Sequence, residues 1–199
     1  MTKFGAFLSQ VLFSLDTAVA QRRPFFSQII TGDEKWCLFV NIKQRKEWLS
    51  PAKDPIPRAK PKLHERKTML SVWWDCEGVI HFELLPKNQT ITATIYVEQL
   101  RPRQCPIAYT NNHKNSHPRA PMEVLPHPGY SPDLTPSEHH LFRSLAVNVH
   151  GVTFNNDEDL QKWLSDFSSK PPHSYRRGIE QLASRWEEVV NSEGEYIVD

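Results

Sequence analysis

Carboxylates are the side chains to test first for chemistry in this 199-residue chain. Asp33 follows an apolar run and a glycine in IITGDEKW (29–36), where a strand end can hold a carboxylate rigidly and leave it open to a ligand. Two polar stretches supply further positions. IAYTNNHKNSH (107–117) ends a strand candidate on Thr110, Asn111 and Asn112. GYSPDLTPSEHHLF (129–142) puts Asp133 in a proline-bounded turn and Glu138 in the first turn of a helix. Each has a plainer reading: an acid behind a glycine holds a turn, and an acid in a first helical turn satisfies the helix N-terminus. His113 and His117 are four apart but would share a metal only on a helix, which Asn115, Ser116 and Pro118 oppose. Ser137 lacks the glycines of a nucleophile elbow, and no Gly-rich phosphate loop occurs.

The elements that must position these acids are partly readable. Phe4, Phe7, Leu8, Val11 and Leu15 recur at helical spacing, so 1–28 read as an N-terminal helix and tether, limited by Pro24. A strand begins over 29–31, and 35–40 continue or follow it. MLSVWWD (69–75) is a strand by β-branched and aromatic content. A Glu77-Gly78 turn returns the chain into VIHFELL (79–85) as a hairpin partner. Residues 92–100 form a short helix. Eight prolines between 101 and 136 leave only short strand candidates at 107–109 and 124–125. Ser137 stands as the cap of a helix running through Leu145, behind Pro136. Helices over 157–165 and 176–190 complete the chain, the latter burying Leu182, Trp186, Val189 and Val190.

Composition bounds the rest. The length suits one domain with appendages, and six tryptophans help a hydrophobic core. Net charge is only +1, but it is unevenly spread. Residues 43–67 hold nine Lys or Arg against three acids, whereas 180–199 hold six acids and one Arg. A basic, proline-rich arm of this kind either faces phosphates or is a solvated loop. Three widely spaced cysteines form no CxxC pair, and their odd number argues against a secreted disulfide scaffold. Gln10 interrupts the only leader-like apolar run, and no run reaches the roughly 18 apolar residues of a membrane span.

Several of these stretches together resemble the catalytic domain of mariner-type (Tc1/mariner) transposases: TGDEKW, KEWLSP, WWDCEGVIHFELL, LPHPGYSPDLTPSEHHLFRSL and RRGIEQLASRWEEVVNSEGEYI. The resemblance runs from about residue 20 to the C-terminus. It implies an α/β, ribonuclease-H-like mixed sheet flanked by helices, occupying 29–199. It implies DNA transposition, in which three carboxylates hold two Mg²⁺ or Mn²⁺ ions roughly 3.5–4 Å apart for DNA strand cleavage and transfer. Asp33 takes the first carboxylate position. The second falls on Asn111 in TNNHKNSH, where the family carries Asp, and the third on Glu138, where the mariner group has Asp. A human member of the group is fused to a histone methyltransferase domain, to which nothing in this chain is similar.

These departures have physical consequences. An amide offers one neutral oxygen where a carboxylate offers two charged ones, so Asn111 weakens metal pairing. The extra methylene of Glu138 displaces its oxygens from where an Asp would put them. Asn111 and Glu138 lie 27 positions apart, closer than in the mariner pattern, and only eleven residues (NHKNSHPRAPM) separate Asn111 from Glu123. A parallel crossover needs a dozen or more residues, usually with a helix. The resemblance implies one helix-bearing segment before the second acid, where Leu100 is followed only by RPRQC, and another helix after it, so two central helices are expected to be shortened or missing, and catalysis to be impaired. Complete family members carry two helix-turn-helix modules, for which 1–28 is far too short. DNA contact is then expected to be weak and sequence-independent, through Lys43, Arg45, Lys46, Lys60, Lys62, Arg66 and Lys67 of the arm that reaches a partner subunit in the family. The resemblance further implies a homodimer or related transposase subunit as partner and the nucleus as location. The alternative is a non-enzymatic fragment that binds DNA or protein.

Overall fold

The computed structural model describes residues 26–42, 66–86, 89–99, 128 and 130–197. Three antiparallel strands, β1 (Thr31–Leu38), β2 (Lys67–Trp74) and β3 (Val79–Leu85), form a sheet in the order β1-β2-β3. β2 is central, and its sequence KTMLSVWW is buried on both faces from Leu70 to Trp74. A run of β-branched and aromatic side chains without polar alternation is what a doubly covered strand requires. The β2–β3 turn is closed by Asp75, whose Oδ1 accepts from the amides of Glu77 (2.7 Å) and Gly78 (3.1 Å). The ladder shifts register at Trp73/Trp74, and the two indoles pack on opposite faces, Trp73 against Tyr96 and Trp74 against His140 and Tyr175.

Register sets the two faces. Asp33 pairs with Val72, and Val72 with Phe82; Glu34 pairs with Ser71, and Ser71 with Glu83. Directly paired residues share a face. Onto the Glu34 face docks α1 (Ala93–Gln99). Its Gln99 is buried, accepts from Ser71 Oγ (2.9 Å) and Trp73 Nε1 (3.1 Å), and donates to Glu83 (3.1 Å).

The Asp33 face meets the second half of the chain. A π-helical turn, Ser137–Phe142, runs directly into α2 (Arg143–Val149), followed by α3 (Asp157–Ser168) and α4 (Pro172–Asn191). Trp74, Phe142 and Ile179, fully buried, form the centre of this layer. Asn156 caps α3 by accepting from the Asp159 amide (2.8 Å), with three acids in the first turn. Pro172 at the first turn of α4 suits its fixed φ and missing N–H.

Most expected elements stand within a few residues. α3 runs on to Ser168, and α4 begins before 176. Val190 is half-buried rather than part of the fully buried face. Two expectations change. Asp33 does not end a strand: it is the third residue of an eight-residue one. Ser137 does not cap the helix, because its hydroxyl is committed to Trp74 Nε1 (3.0 Å) and Pro136 takes the cap position without a side-chain bond. The expected strands at 107–109 and 124–125, the shortened central helices and the helix within 1–25 lie outside the described residues. The sheet seen here is thus the antiparallel part of the expected mixed sheet.

Candidate active site

Gly32 explains where Asp33 sits. A Cβ on Gly32 would come within 2.5–2.7 Å of the Trp73 ring, so the indole lies across the glycine itself. The glycine serves close packing within a strand and not a turn. Trp73 is fixed in turn by Gln99 and by the edge of Tyr96, 4.8 Å between ring centres. The strand carrying Asp33 is therefore clamped from the α1 side.

From the other side comes Glu138, held on the π-helical turn. The Arg143 amide reaches back five residues to the Glu138 carbonyl, the bond that defines the wide turn. Such turns insert an extra residue and re-aim the side chains around them. Ser137, next to Glu138, is tied to Trp74 at the end of β2. The Glu138 carboxylate lies 3.6 Å from Lys35 Nζ, and that ammonium stands 5.0 Å from the centre of the Phe142 ring. Lys35 is two residues beyond Asp33 on β1, so both project to the face that Glu138 approaches.

The electrostatics record the convergence. Asp33 accepts from the Glu34 amide at Oδ1 (2.8 Å), yet its carboxyl is pushed up to about 6. Burial is the largest cause, and the negative charge of Glu138 adds to it, while Lys35 pulls the other way. Glu34, on the opposite face, is raised by burial. The Tyr96 phenol is raised by burial and by the charges of Glu34 and Asp33, which places it in their field.

Of the three expected site residues, the structure thus brings Asp33 and Glu138 together. Asn111 lies outside the described residues, as do Lys43, Arg45, Lys46, Lys60 and Lys62. Arg66 is engaged within the chain: it contacts Asp157 (3.0 Å) and the Asn155 carbonyl (3.3 Å), with its guanidinium 4.0 Å from the centre of the Phe39 ring. Lys67 is exposed, its ammonium 4.4 Å from the Trp36 ring centre. Lys35 and Tyr96 escaped the sequence reading. The two-residue period of β1 carried the signal for Lys35; only the docking of α1 reveals Tyr96. Among the described residues no cluster of three metal-ligating His, Cys, Asp or Glu side chains occurs. Two converging carboxylates whose mutual charge raises one of them do fit a hard divalent cation, which prefers such oxygens.

Comparison with known proteins identifies the family and the fold. The family model "Transposase (partial DDE domain)" matches residues 38–116. The mariner Mos1 transposase of Drosophila mauritiana is 37% identical over 201 residues, covering 89% of this chain and 58% of that protein. The solved Mos1 transposase catalytic domain with Raltegravir and Mn superimposes with a TM-score of 0.71 at 32% identity, covering 98% of this chain and 94% of that one. The chain belongs to the mariner transposase family. Its fold is that of the family's catalytic domain, ribonuclease-H-like. Human SETMAR, a histone-lysine N-methyltransferase, is 34% identical over 196 residues, which is 87% of this chain but only 29% of SETMAR. The Mos1 paired-end complex with left transposon end matches with a TM-score of 0.79 at 34% identity, over all of this chain and 65% of that one. The chain therefore spans less than two thirds of either curated relative.

Proposed function

We propose that this mariner domain binds DNA beside a divalent-cation site built on Asp33 and Glu138, and that Asn111 impairs its strand cleavage and transfer. The carrying observation is the approach of Glu138, on its π-helical turn, to the face of β1 that carries Asp33, where its carboxylate meets Lys35 Nζ at 3.6 Å and its charge raises Asp33. The Mos1 catalytic domain solved with Mn supports Mg²⁺ or Mn²⁺ as the ion. When bound, such an ion supplies Lewis-acid stabilisation of phosphate oxygens. The chain's own residues do the rest. Asp33 is fixed by its strand and by the Glu34 amide, and Glu138 is held by Lys35. Asn111, at the family's second carboxylate position, would offer a cation one neutral oxygen where a carboxylate offers two charged ones.

The Mos1 complex with a transposon end supports DNA as the ligand. Exposed Lys67 and the basic residues of 43–67 would meet phosphates, which positions DNA without reading its sequence. A second copy or a related transposase subunit is the proposed protein partner, and the nucleus, where chromosomal DNA lies, the proposed location. The test is cleavage of end-labelled DNA by the purified chain with Mg²⁺ or Mn²⁺. Background cleavage by the natural chain and a metal-dependent rise in Asn111→Asp are expected. Efficient cleavage by the natural chain would overturn the proposed impairment.

A second reading, a non-enzymatic interaction fragment, draws on Trp36, Leu38, Val40 and Ile42. These alternate residues of β1 and its continuation are all exposed. Metal-independent capture of DNA or of another transposase subunit, with no cleavage even in Asn111→Asp, would favour it.

A further inference from the structure

Asp133 looks in sequence like a turn-holding acid, but its carboxylate does something else. It is buried, at 6% exposure, and its Oδ2 accepts from the backbone amide of Ile197, sixty-four residues later (3.2 Å). Its backbone carbonyl accepts from Arg185 Nη1 of α4 (3.0 Å). The 3-10 turn Pro132–Leu134 is therefore held from outside at two polar points, and by the buried Leu134 side chain.

The tail reaches Asp133 by a built reversal. α4 ends at Asn191, and Glu193 and Gly194 then take left-handed conformations, φ 60° and 96°. The Gly194 amide bonds back to the Val189 carbonyl (2.8 Å) and that of Glu193 to Val190 (3.2 Å), which closes the helix and turns the chain. Residues 195–197 return along the helix end, and Ile197 packs against the core.

From Asp133 a short series of backbone bonds leads to Glu138. The Thr135 amide bonds to the Pro132 carbonyl (3.2 Å). The Thr135 carbonyl then accepts from both Glu138 (3.0 Å) and His139 (3.1 Å). Nothing in this path is longer than a single turn, so a displacement of Asp133 is passed to the start of the π-helical turn.

We propose that tail residues 195–197 act through Asp133 as a strap that positions Glu138. Asp133 is a positioning residue: it touches no cation or DNA itself. The inference deepens the proposed function and rests on the reading of Glu138 as a metal-holding carboxylate. It predicts that the C-terminal tail and the cation site are mechanically linked.

Native-state amide hydrogen exchange of the full chain, without metal, tests the strap. Asp133→Ala should accelerate exchange at the Glu138 and His139 amides at least tenfold more than at Leu164 in α3. Asp133→Asn keeps an oxygen for the Ile197 amide and should restore most of the protection. Deleting 195–199, with Asp133 intact, should reproduce the local acceleration and so covers the case in which Asp133→Ala fails to fold. Equal acceleration at all three amides, or none at Glu138 and His139 in the deletion, would overturn the strap. Because the readout needs no metal, its failure is separate from a failure of cation binding, which Mn²⁺ titration of the natural chain reports.

Discussion

Replacing Asp33 by Asn should stabilise the protein at neutral pH while removing its cation response. Burial, reinforced by Glu138, raises the Asp33 carboxyl from 3.8 to about 6. An acid with a raised folded value binds its proton more tightly folded than unfolded. Between pH 3.8 and about 6 the native state therefore holds the extra proton, and stability falls as pH rises through that window. At about 1.36 kcal/mol for each pH unit, the full effect would be about 3 kcal/mol. Asp33 is only part-buried, so solvent screening reduces this to on the order of 1.5 kcal/mol. Asn keeps an Oδ1 acceptor for the Glu34 amide and stays neutral at every pH. Urea unfolding at pH 4, 5, 6 and 7 should then show no difference between natural chain and variant at pH 4. By pH 7 the variant should be ahead by about 1.5 kcal/mol. Mg²⁺ at tenfold its dissociation constant should add about 1.4 kcal/mol to the natural chain and nothing to the variant. A variant less stable at pH 7, or a difference independent of pH, would refute the reasoning.

Other perturbations probe the same arrangement. Lys35→Met removes the cation that lowers Asp33, so the Asp33 carboxyl, followed by carbon-detected NMR titration, should rise above about 6. An unchanged titration would mean that Lys35 does not act there. Gly32→Ala drives a methyl into the Trp73 ring, and overpacking of this kind costs typically 1–3 kcal/mol. The gain from replacing a strand glycine offsets only about 0.5–1 kcal/mol, so net destabilisation in urea is expected. DNA affinity should fall steeply between 50 and 200 mM salt and vary little with sequence. A flat salt response would contradict phosphate-led binding.

The sheet was readable because its signals are local. MLSVWWD and VIHFELL show strand composition around a Glu-Gly turn, and β2 and β3 follow them closely. Asp33 was legible as a carboxylate but misplaced, because Gly32 reads as a chain break when no partner strand is in view. Only the Trp73 ring, forty-one residues later, shows why a glycine belongs inside the strand. Ser137 failed for a similar reason. Cap preference is local, whereas the Trp74 indole that claims its hydroxyl arrives from another element. The π-helical turn carries no sequence signature beyond a helix. Asp133 shows the limit most clearly, since its partner is the last described residue of the tail. The pairing of Asp33 with Glu138 came from family motifs, not from spacing, because only the packing of the π-helical turn onto the sheet brings them together.

The most direct test of the account is Mn²⁺ titration followed by amide line broadening. If Asp33 and Glu138 hold the cation, amides at 32–35 and 137–139 should broaden first, and Asp33→Asn should abolish the effect. Broadening centred elsewhere, or unchanged in Asp33→Asn, would contradict a cation site on these two carboxylates.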